Sequence, residues 1–104
     1  MKTYTICGSM RFEKEMKEIA YYLETKKGYN VLQCIYTFND TKPTKEDLKN
    51  LEIAHYLKID ISDGIYVLNI GGYIGKSVYK EIEYALTHGK EVIYHCNYQE
   101  NCFT

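Results

Sequence analysis

The stretch Asp63-Gly-Ile-Tyr-Val-Leu-Asn-Ile70 is the most continuous apolar segment of the chain and decides its fold class. Its apolar residues do not alternate with polar ones, which is typical of a strand buried on both faces of a parallel sheet. A glycine-rich loop, Gly71–Gly75, follows it, and residues 77–88 then show helical spacing. The apolar stripe predicted for that helix consists of Val78, Ile82, Ala85 and Leu86.

The rest of the chain repeats this alternation of strand and helix. Residues 3–7 and 29–38 are β-prone, residues 10–27 have helical spacing, and residues 91–95 form a last strand. A turn-rich loop at 39–45 precedes a second helix, which places Leu48, Leu51, Ala54, His55 and Lys58 on one side. Such an order with short connections predicts an α/β fold, a flavodoxin/Rossmann-like three-layer sandwich. We expect one domain over residues 1–104, with a parallel sheet of four or five strands in the order 2-1-3-4.

Composition narrows the classes of partner. Thirteen Lys and Arg against fourteen Asp and Glu leave a formal net charge of −1 over 104 residues. That balance provides no general attraction for a nucleic acid polymer or an anionic membrane. The start of the chain lacks the apolar segment of a secretion signal, and no later run is long enough to cross a bilayer, so we expect a cytoplasmic protein.

The predicted strand order places the ligand beyond the carboxyl ends of the first and third strands, at residues 8–12 and 69–77. The first loop, Gly8-Ser9-Met10-Arg11, combines a tight turn, a hydroxyl and a guanidinium, which suits a phosphate. The alternative is that Ser9 only caps a helix and Arg11 is a surface charge. This tetrapeptide favours neither interpretation over the other.

The second loop, Gly71-Gly72-Tyr73-Ile74-Gly75-Lys76-Ser77, is similar to a Walker A loop but one residue too short, since that motif would require glycine at Ile70. A nucleoside triphosphatase is therefore disfavoured. We expect Gly72 and Gly75 to let a ligand approach the backbone, Tyr73 to contribute to the same site, and Ser77 to cap the following helix.

Three side chains are candidates for chemistry. Glu81 lies one turn into the helix that follows this loop, beside its apolar stripe, where a carboxylate stays ionised and can act as a nucleophile; an ordinary exposed glutamate is the alternative. His55 and Asp60, from the second helix, are candidates for proton transfer, with a buried structural histidine and a simple turn as the alternatives. His95, Cys96 and Cys102 lack the spacing of a metal site, so we expect neither metal nor cofactor.

Taken in order, Ile6-Cys-Gly-Ser-Met-Arg11, His55-Tyr-Leu-Lys-Ile-Asp-Ile-Ser-Asp63 and Gly72–Ala85 resemble the nucleoside 2-deoxyribosyltransferase-like superfamily over nearly the whole chain. The Cys-Gly-Ser-x-Arg loop is most similar to that of the 2'-deoxynucleoside 5'-monophosphate N-glycosidases. The resemblance implies that Cys7 to Arg11 hold a 5'-phosphate. It also implies that Glu81, in a Glu-x-x-x-Ala helix, attacks the anomeric carbon of deoxyribose.

Two positions depart from this pattern. Thr5 stands where many relatives have a tyrosine, and His55 stands where many have an aspartate that serves the leaving base. The first loop and Glu81 nevertheless lead us to expect a small nucleoside or nucleotide as ligand, cleaved by hydrolysis or by deoxyribosyl transfer. A nucleotide-binding module without catalysis is the alternative, and a flavodoxin or receiver domain fits only the fold. Relatives of this size self-associate, so a homodimer is expected.

Overall fold

A four-stranded parallel sheet in the order β2-β1-β3-β4 forms the middle layer of the protein. The computed structural model describes residues 1–36 and 42–96. Its strands are β1 (Thr3–Cys7), β2 (Asn30–Leu32), β3 (Gly64–Val67) and β4 (Glu91–Tyr94). The predicted α/β fold and its strand order are confirmed.

Three helices cover the two faces of this sheet. They are α1 (Glu13–Lys26), α2 (Lys45–Asp60) and α3 (Lys76–Thr87). Two 3-10 turns, Met10–Phe12 and Ile70–Gly72, precede α1 and α3 at the carboxyl ends of β1 and β3. One core cluster joins α1 to the sheet through Met16 and Ala20, and the other joins α2 and α3 to the opposite face through Ile59 and Ile82. This is the three-layer arrangement that the sequence predicts.

The second and third strands are shorter than their apolar runs. β2 ends at Leu32, whereas the sequence predicts a strand over 29–38, of which residues 37 and 38 lie outside the described part. β3 ends at Val67, although the Leu68 amide still donates to the Cys7 carbonyl at 2.8 Å. Leu68 is buried in the cluster on the α1 side, so its apolar character serves packing rather than strand pairing.

The second helix begins with a capping box. The Asp47 amide donates to the Thr44 hydroxyl at 3.0 Å, and the Thr44 amide donates to the Asp47 carboxylate at 2.9 Å. These two bonds satisfy donors that a helix leaves unpaired at its start. Along the rest of α2 only Ile59 is fully buried. The core therefore holds the later part of α2, whereas residues 45–53 at its start are exposed.

The stripe predicted for the third helix is correct at three positions and wrong at the fourth. Val78, Ile82 and Ala85 are buried, whereas Leu86 is 61% exposed. Leu86 follows Ala85 by a single residue, about 100° around the helix, which turns it away from the sheet. In the described residues, none of the helices combines the length and the apolar character needed to cross a membrane.

Candidate functional site

A cavity of about 870 Å³ lies between α2 and the carboxyl end of β1. Its volume falls within the range of about 300–1,000 Å³ that is usual for small-molecule sites. The sheet, the turn after β1, the segment after β2, α2 and the first turns of α3 all contribute to its wall. Its lining residues are Ile6, Gly8, Met10, Cys34, Ile35, Tyr36, Pro43, Asp47, Leu48, Asn50, Leu51, Glu52, Ala54, His55, Tyr56, Lys58, Ser77 and Glu81.

The side of α2 that the sequence analysis describes forms one wall of this cavity. Leu48, Leu51, Ala54, His55 and Lys58 all line it. Helical spacing identifies this side correctly, but the side faces a cavity rather than a packed core. An apolar wall of this kind can receive the flat face of a ligand.

A cluster of three side chains from three different elements lies at the inner end of the cavity. His55 Nε2, from α2, is 3.1 Å from Glu81 Oε1 on α3 and 3.5 Å from Cys7 Sγ on β1. The side chains of His55 and Glu81 are 12% and 14% exposed, and Cys7 is buried behind them. The structure thus brings together two of the three predicted catalytic residues and one predicted binding residue.

The hydrogen bonds of this cluster determine the tautomer of His55. The carboxylate of Glu81 can only accept a hydrogen bond, so Nε2 of His55 carries the hydrogen and donates the hydrogen bond to Glu81. The Cys7 thiol therefore has no lone pair to meet on Nε2. It has a hydrogen bond with the Glu81 carboxylate, and the Thr5 carbonyl lies 3.9 Å from Sγ. Nδ1 of His55 is buried and has no hydrogen-bond partner among the described residues.

This geometry excludes a Cys-His-Glu relay. In such a relay the histidine uses one ring nitrogen for the nucleophile and the other for the carboxylate. Here Cys7 and Glu81 share Nε2, and Nδ1 contacts neither. In addition, burial and then the charge of Glu81 hold the pKa of the Cys7 thiol well above its usual range. Cys7 is therefore a protonated thiol, which is a poor nucleophile.

Tyr56 adds a neutral phenol to the same wall. Burial, followed by the negative charge of Glu81, raises the pKa of Tyr56 above its ordinary value. Its ring packs edge to face on Tyr84, with the ring centres 4.7 Å apart. Tyr56 was not predicted, because its neighbour His55 is the more obvious titratable group and the sequence, with twelve tyrosines, gives no reason to prefer this one.

The first predicted binding loop reaches the cavity only in part. Gly8 and Met10 line it, while Ser9 and Arg11 are not among the described lining residues. The Ser9 hydroxyl accepts from the Arg11 amide at 3.3 Å and so caps the 3-10 turn. The Arg11 guanidinium lies 3.8 Å from the centre of the Tyr73 ring, a cation–π contact that links the two loops.

The second predicted loop contributes a single residue. Ser77 lines the cavity, whereas Gly72, Tyr73 and Gly75 are not among its described lining residues. The prediction that Ser77 caps the helix is wrong, because α3 begins at Lys76 and its N-cap is Gly75, without a side-chain cap. Ser77 lies inside the first turn, which leaves its hydroxyl for the cavity wall.

Asp60 is not brought to this site. It ends α2, about 7.5 Å along the helix axis from His55, and its carboxylate accepts from the Tyr84 hydroxyl. Its backbone carbonyl accepts from Lys90 Nζ at 2.8 Å. Asp60 therefore joins α2 to α3 near the amino ends of the strands, away from Glu81.

Among the described residues that line the cavity, one is a lysine, Lys58. Its Nζ donates to the Gln33 carbonyl at 2.9 Å, beyond the end of β2. Asp47, Glu52 and Glu81 line the same cavity, so carboxylates outnumber this cation.

Cys34, also on this wall, is a free thiol whose pKa is raised by burial. Cys34, Asp47 and Glu52 were not predicted, because they reach the cavity only through the placement of α2 beside β2.

The comparisons with known proteins show the fold alone. No protein-family model matches the chain, and no curated protein matches it in sequence. A solved structure, described as a conserved protein from Enterococcus faecalis V583, superposes with a TM-score of 0.63 at 18% sequence identity. The superposition covers 90% of this chain and 62% of that one, so this chain spans less than two thirds of that protein's length.

Proposed function

We propose that this protein cleaves the N-glycosidic bond of a nucleoside or a nucleoside 5'-monophosphate, with Glu81 as the nucleophile. The observation that carries the proposal is the position of the Glu81 carboxylate, held by His55 Nε2 at 3.1 Å on the wall of an 870 Å³ cavity. A carboxylate that is nearly buried, oriented by a hydrogen bond and open to a ligand-sized cavity is suited to covalent catalysis.

The reaction would proceed in two displacements. Glu81 attacks the anomeric carbon as the bond to the base breaks, and the base leaves with the bonding electron pair and takes up a proton. The resulting glycosyl ester is then opened by water, which gives hydrolysis, or by a second base, which gives transfer. Two inversions at one carbon return the original configuration.

His55 would act as a positioning residue in this scheme. Two groups that act on opposite sides of a sugar in a double displacement are about 5–5.5 Å apart. His55 Nε2 is only 3.1 Å from Glu81, so no sugar fits between them. Its N–H instead fixes one carboxylate oxygen and leaves the other for attack. A proton for the leaving base would come from another group on the cavity wall, and the neutral phenol of Tyr56 is available there.

The cavity also suggests how the substrate would lie. Leu48 and Leu51 on the α2 wall offer an apolar surface for the base. Gly8 and Met10 belong to the turn that carries Arg11, so a 5'-phosphate would be met at that end. Because Arg11 is stacked on Tyr73, binding of a phosphate would require the guanidinium to leave the ring.

A panel assay tests the proposed reaction. Purified protein is incubated with the four deoxynucleosides, their 5'-monophosphates and the ribonucleotides, with and without an acceptor base, and free base is measured by chromatography. We expect base release from at least one deoxyribosyl compound. Tight binding by calorimetry with the ligand recovered intact would instead identify the alternative, a nucleotide-binding module, and would contradict the proposed reaction.

A homodimer is the assembly that we propose. The outer side of α2 exposes several large apolar side chains: Ile53 is 49% exposed, Leu57 58%, and Ile61, at its end, 74%. Exposed apolar groups in such a row are typical of a surface that another protein covers. We expect light scattering at micromolar concentration to give twice the mass of the chain, and a monomer would contradict the proposal.

A further inference from the structure

The cluster of Cys7, His55 and Glu81 combines three kinds of metal-binding atom. Sulfur, imidazole nitrogen and carboxylate oxygen come from β1, α2 and α3, and the three ligand atoms all lie within 4.8 Å of one another. A set that includes thiolate and imidazole favours zinc or a similar divalent transition metal over magnesium or calcium, which prefer oxygen ligands only.

The separations between these atoms match those around tetrahedral zinc. Bonds of about 2.3 Å to sulfur, 2.05 Å to nitrogen and 2.0 Å to oxygen place sulfur and nitrogen about 3.6 Å apart, and nitrogen and oxygen about 3.3 Å apart. The structure has 3.5 Å between Cys7 Sγ and His55 Nε2, and 3.1 Å between His55 Nε2 and Glu81 Oε1. Two edges of the tetrahedron therefore exist to within a few tenths of an ångström. Along the third edge, Cys7 Sγ and a Glu81 carboxylate oxygen lie within 4.8 Å of each other.

The surroundings also suit a cation. Glu81 is a nearly buried carboxylate, and its neighbours in the cluster are an imidazole and a thiol. A divalent ion would supply a positive charge beside this carboxylate, where little water is present to screen the attraction. His55 and Glu81 line the cavity while Cys7 lies behind them. Three protein ligands with the fourth position open to a cavity are the arrangement of catalytic rather than structural zinc sites.

We infer that Cys7, His55 and Glu81 form a binding site for Zn²⁺ whose fourth position faces the cavity. On binding, the Cys7 thiol loses its proton to solvent, and the His55 ring changes tautomer, so that its proton passes from Nε2 to Nδ1 and the ring stays neutral. The metal then takes one lone pair from each of the three ligands, and one proton is released in total. No oxidation or reduction is involved.

Metal binding and the proposed reaction exclude each other at Glu81. A carboxylate bound to zinc cannot attack the anomeric carbon, so zinc would inhibit base release. This consequence rests on the proposed function, whereas the metal site itself does not.

Cobalt and zinc titrations of the full chain, without a histidine tag and stripped of metal by a chelator, test the site. Co²⁺ is the spectroscopic probe, and Zn²⁺ affinity is measured by competition with a chromophoric chelator. We expect one equivalent of Co²⁺, with the absorption of a tetrahedral complex and a thiolate charge-transfer band, and full displacement by Zn²⁺. Saturating Zn²⁺ should also raise the melting temperature, because the metal binds only the folded chain.

Single replacements assign the ligands. Cys7→Ser should remove the charge-transfer band, and Cys7→Ser, His55→Asn and Glu81→Gln should each weaken Zn²⁺ binding by at least about tenfold. Cys34→Ser, at the free thiol on the cavity wall, and His88→Asn, at an exposed histidine that caps the end of α3, should bind Zn²⁺ like the wild type. Circular dichroism shows whether each variant is folded, and Cys7→Ala replaces Cys7→Ser if the buried hydroxyl prevents folding.

The site would be overturned by the absence of a thiolate band in the folded wild type. It would also be overturned if Glu81→Gln left the affinity unchanged, or if Cys34→Ser weakened binding as much as Cys7→Ser. Base release by the metal-free protein is measured separately. Zinc binding without any base release would support the metal site and contradict the proposed glycosidase activity. Base release without zinc binding would support the glycosidase activity and contradict the metal site.

Discussion

Replacement of Glu81 by Gln is expected to lower kcat/KM for base release by about 1,000-fold or more, the scale on which loss of a nucleophile acts. The amide has the shape of the carboxylate, so it still fills the space beside His55, but it cannot form the glycosyl ester. The rate is measured by chromatography of free base, with the substrate that the panel assay identifies. The loss should appear in kcat, because the bond to Glu81 forms only during the reaction.

Glu83 provides a matched control on the same helix. It lies two residues after Glu81, is exposed, and is not among the described residues of the cavity wall. Glu83→Gln makes the same chemical change and should leave the rate unchanged. If Glu81→Gln kept the wild-type rate, or if both variants lost activity together, Glu81 would not be the nucleophile.

His55→Asn separates a positioning role from a role in proton transfer. Without the Nε2 contact the carboxylate of Glu81 can rotate, and misplacement of a reacting group by about 1 Å costs about 100-fold. We expect kcat to fall with little change in KM and with the alkaline limb of the pH profile, which reports the proton donor, retained. Loss of that limb would show that His55 supplies the proton.

The fold was predictable because each element carries its own local signal. The apolar run ending at Ile70 marks a buried strand, and the helical spacing of Val78, Ile82 and Ala85 marks the face that packs on it. Gly28, at φ 70°, ends the first helix as expected from a residue that tolerates this conformation. Each of these signals depends on residues that are at most about four positions from one another along the chain, so the sequence shows it directly.

The site was predictable only where a motif marked it. Glu81 was selected through its Glu-x-x-x-Ala helix, but its contact with His55 depends on how α2 packs beside α3, which no local pattern records. The same is true of Arg11, whose stacking on Tyr73 joins loops more than sixty positions apart. A metal site was not expected, because positions 7, 55 and 81 have no short-range spacing and meet only across three elements.

Gly64→Ala is expected to lower the free energy of unfolding by about 3 kcal/mol, the scale of overpacking in a core. Gly64 begins β3 and pairs with Glu91 of β4. A Cβ at this position would collide with the Glu91 carbonyl oxygen and lie 2.8 Å from the Glu91 Cβ. Both obstacles belong to a neighbouring strand, not to the end of a flexible side chain, so the strands themselves must separate. Urea unfolding followed by circular dichroism measures the loss.

Gly28→Ala is the control that separates this collision from the general cost of losing a glycine. Gly28 has φ 70°, and among the described residues, its chain neighbours aside, no heavy atom lies within 4 Å of an added Cβ; its replacement therefore costs only the backbone strain, about 1 kcal/mol. Equal losses in the two variants would mean that β3 and β4 can separate without penalty. Gly64 pairs with β4, whereas β2 pairs with β1 on the other side of the sheet. Amide exchange in Gly64→Ala should therefore quicken in β4 before it quickens in β2. The Cys7-His55-Glu81 cluster lies at the other end of the strands.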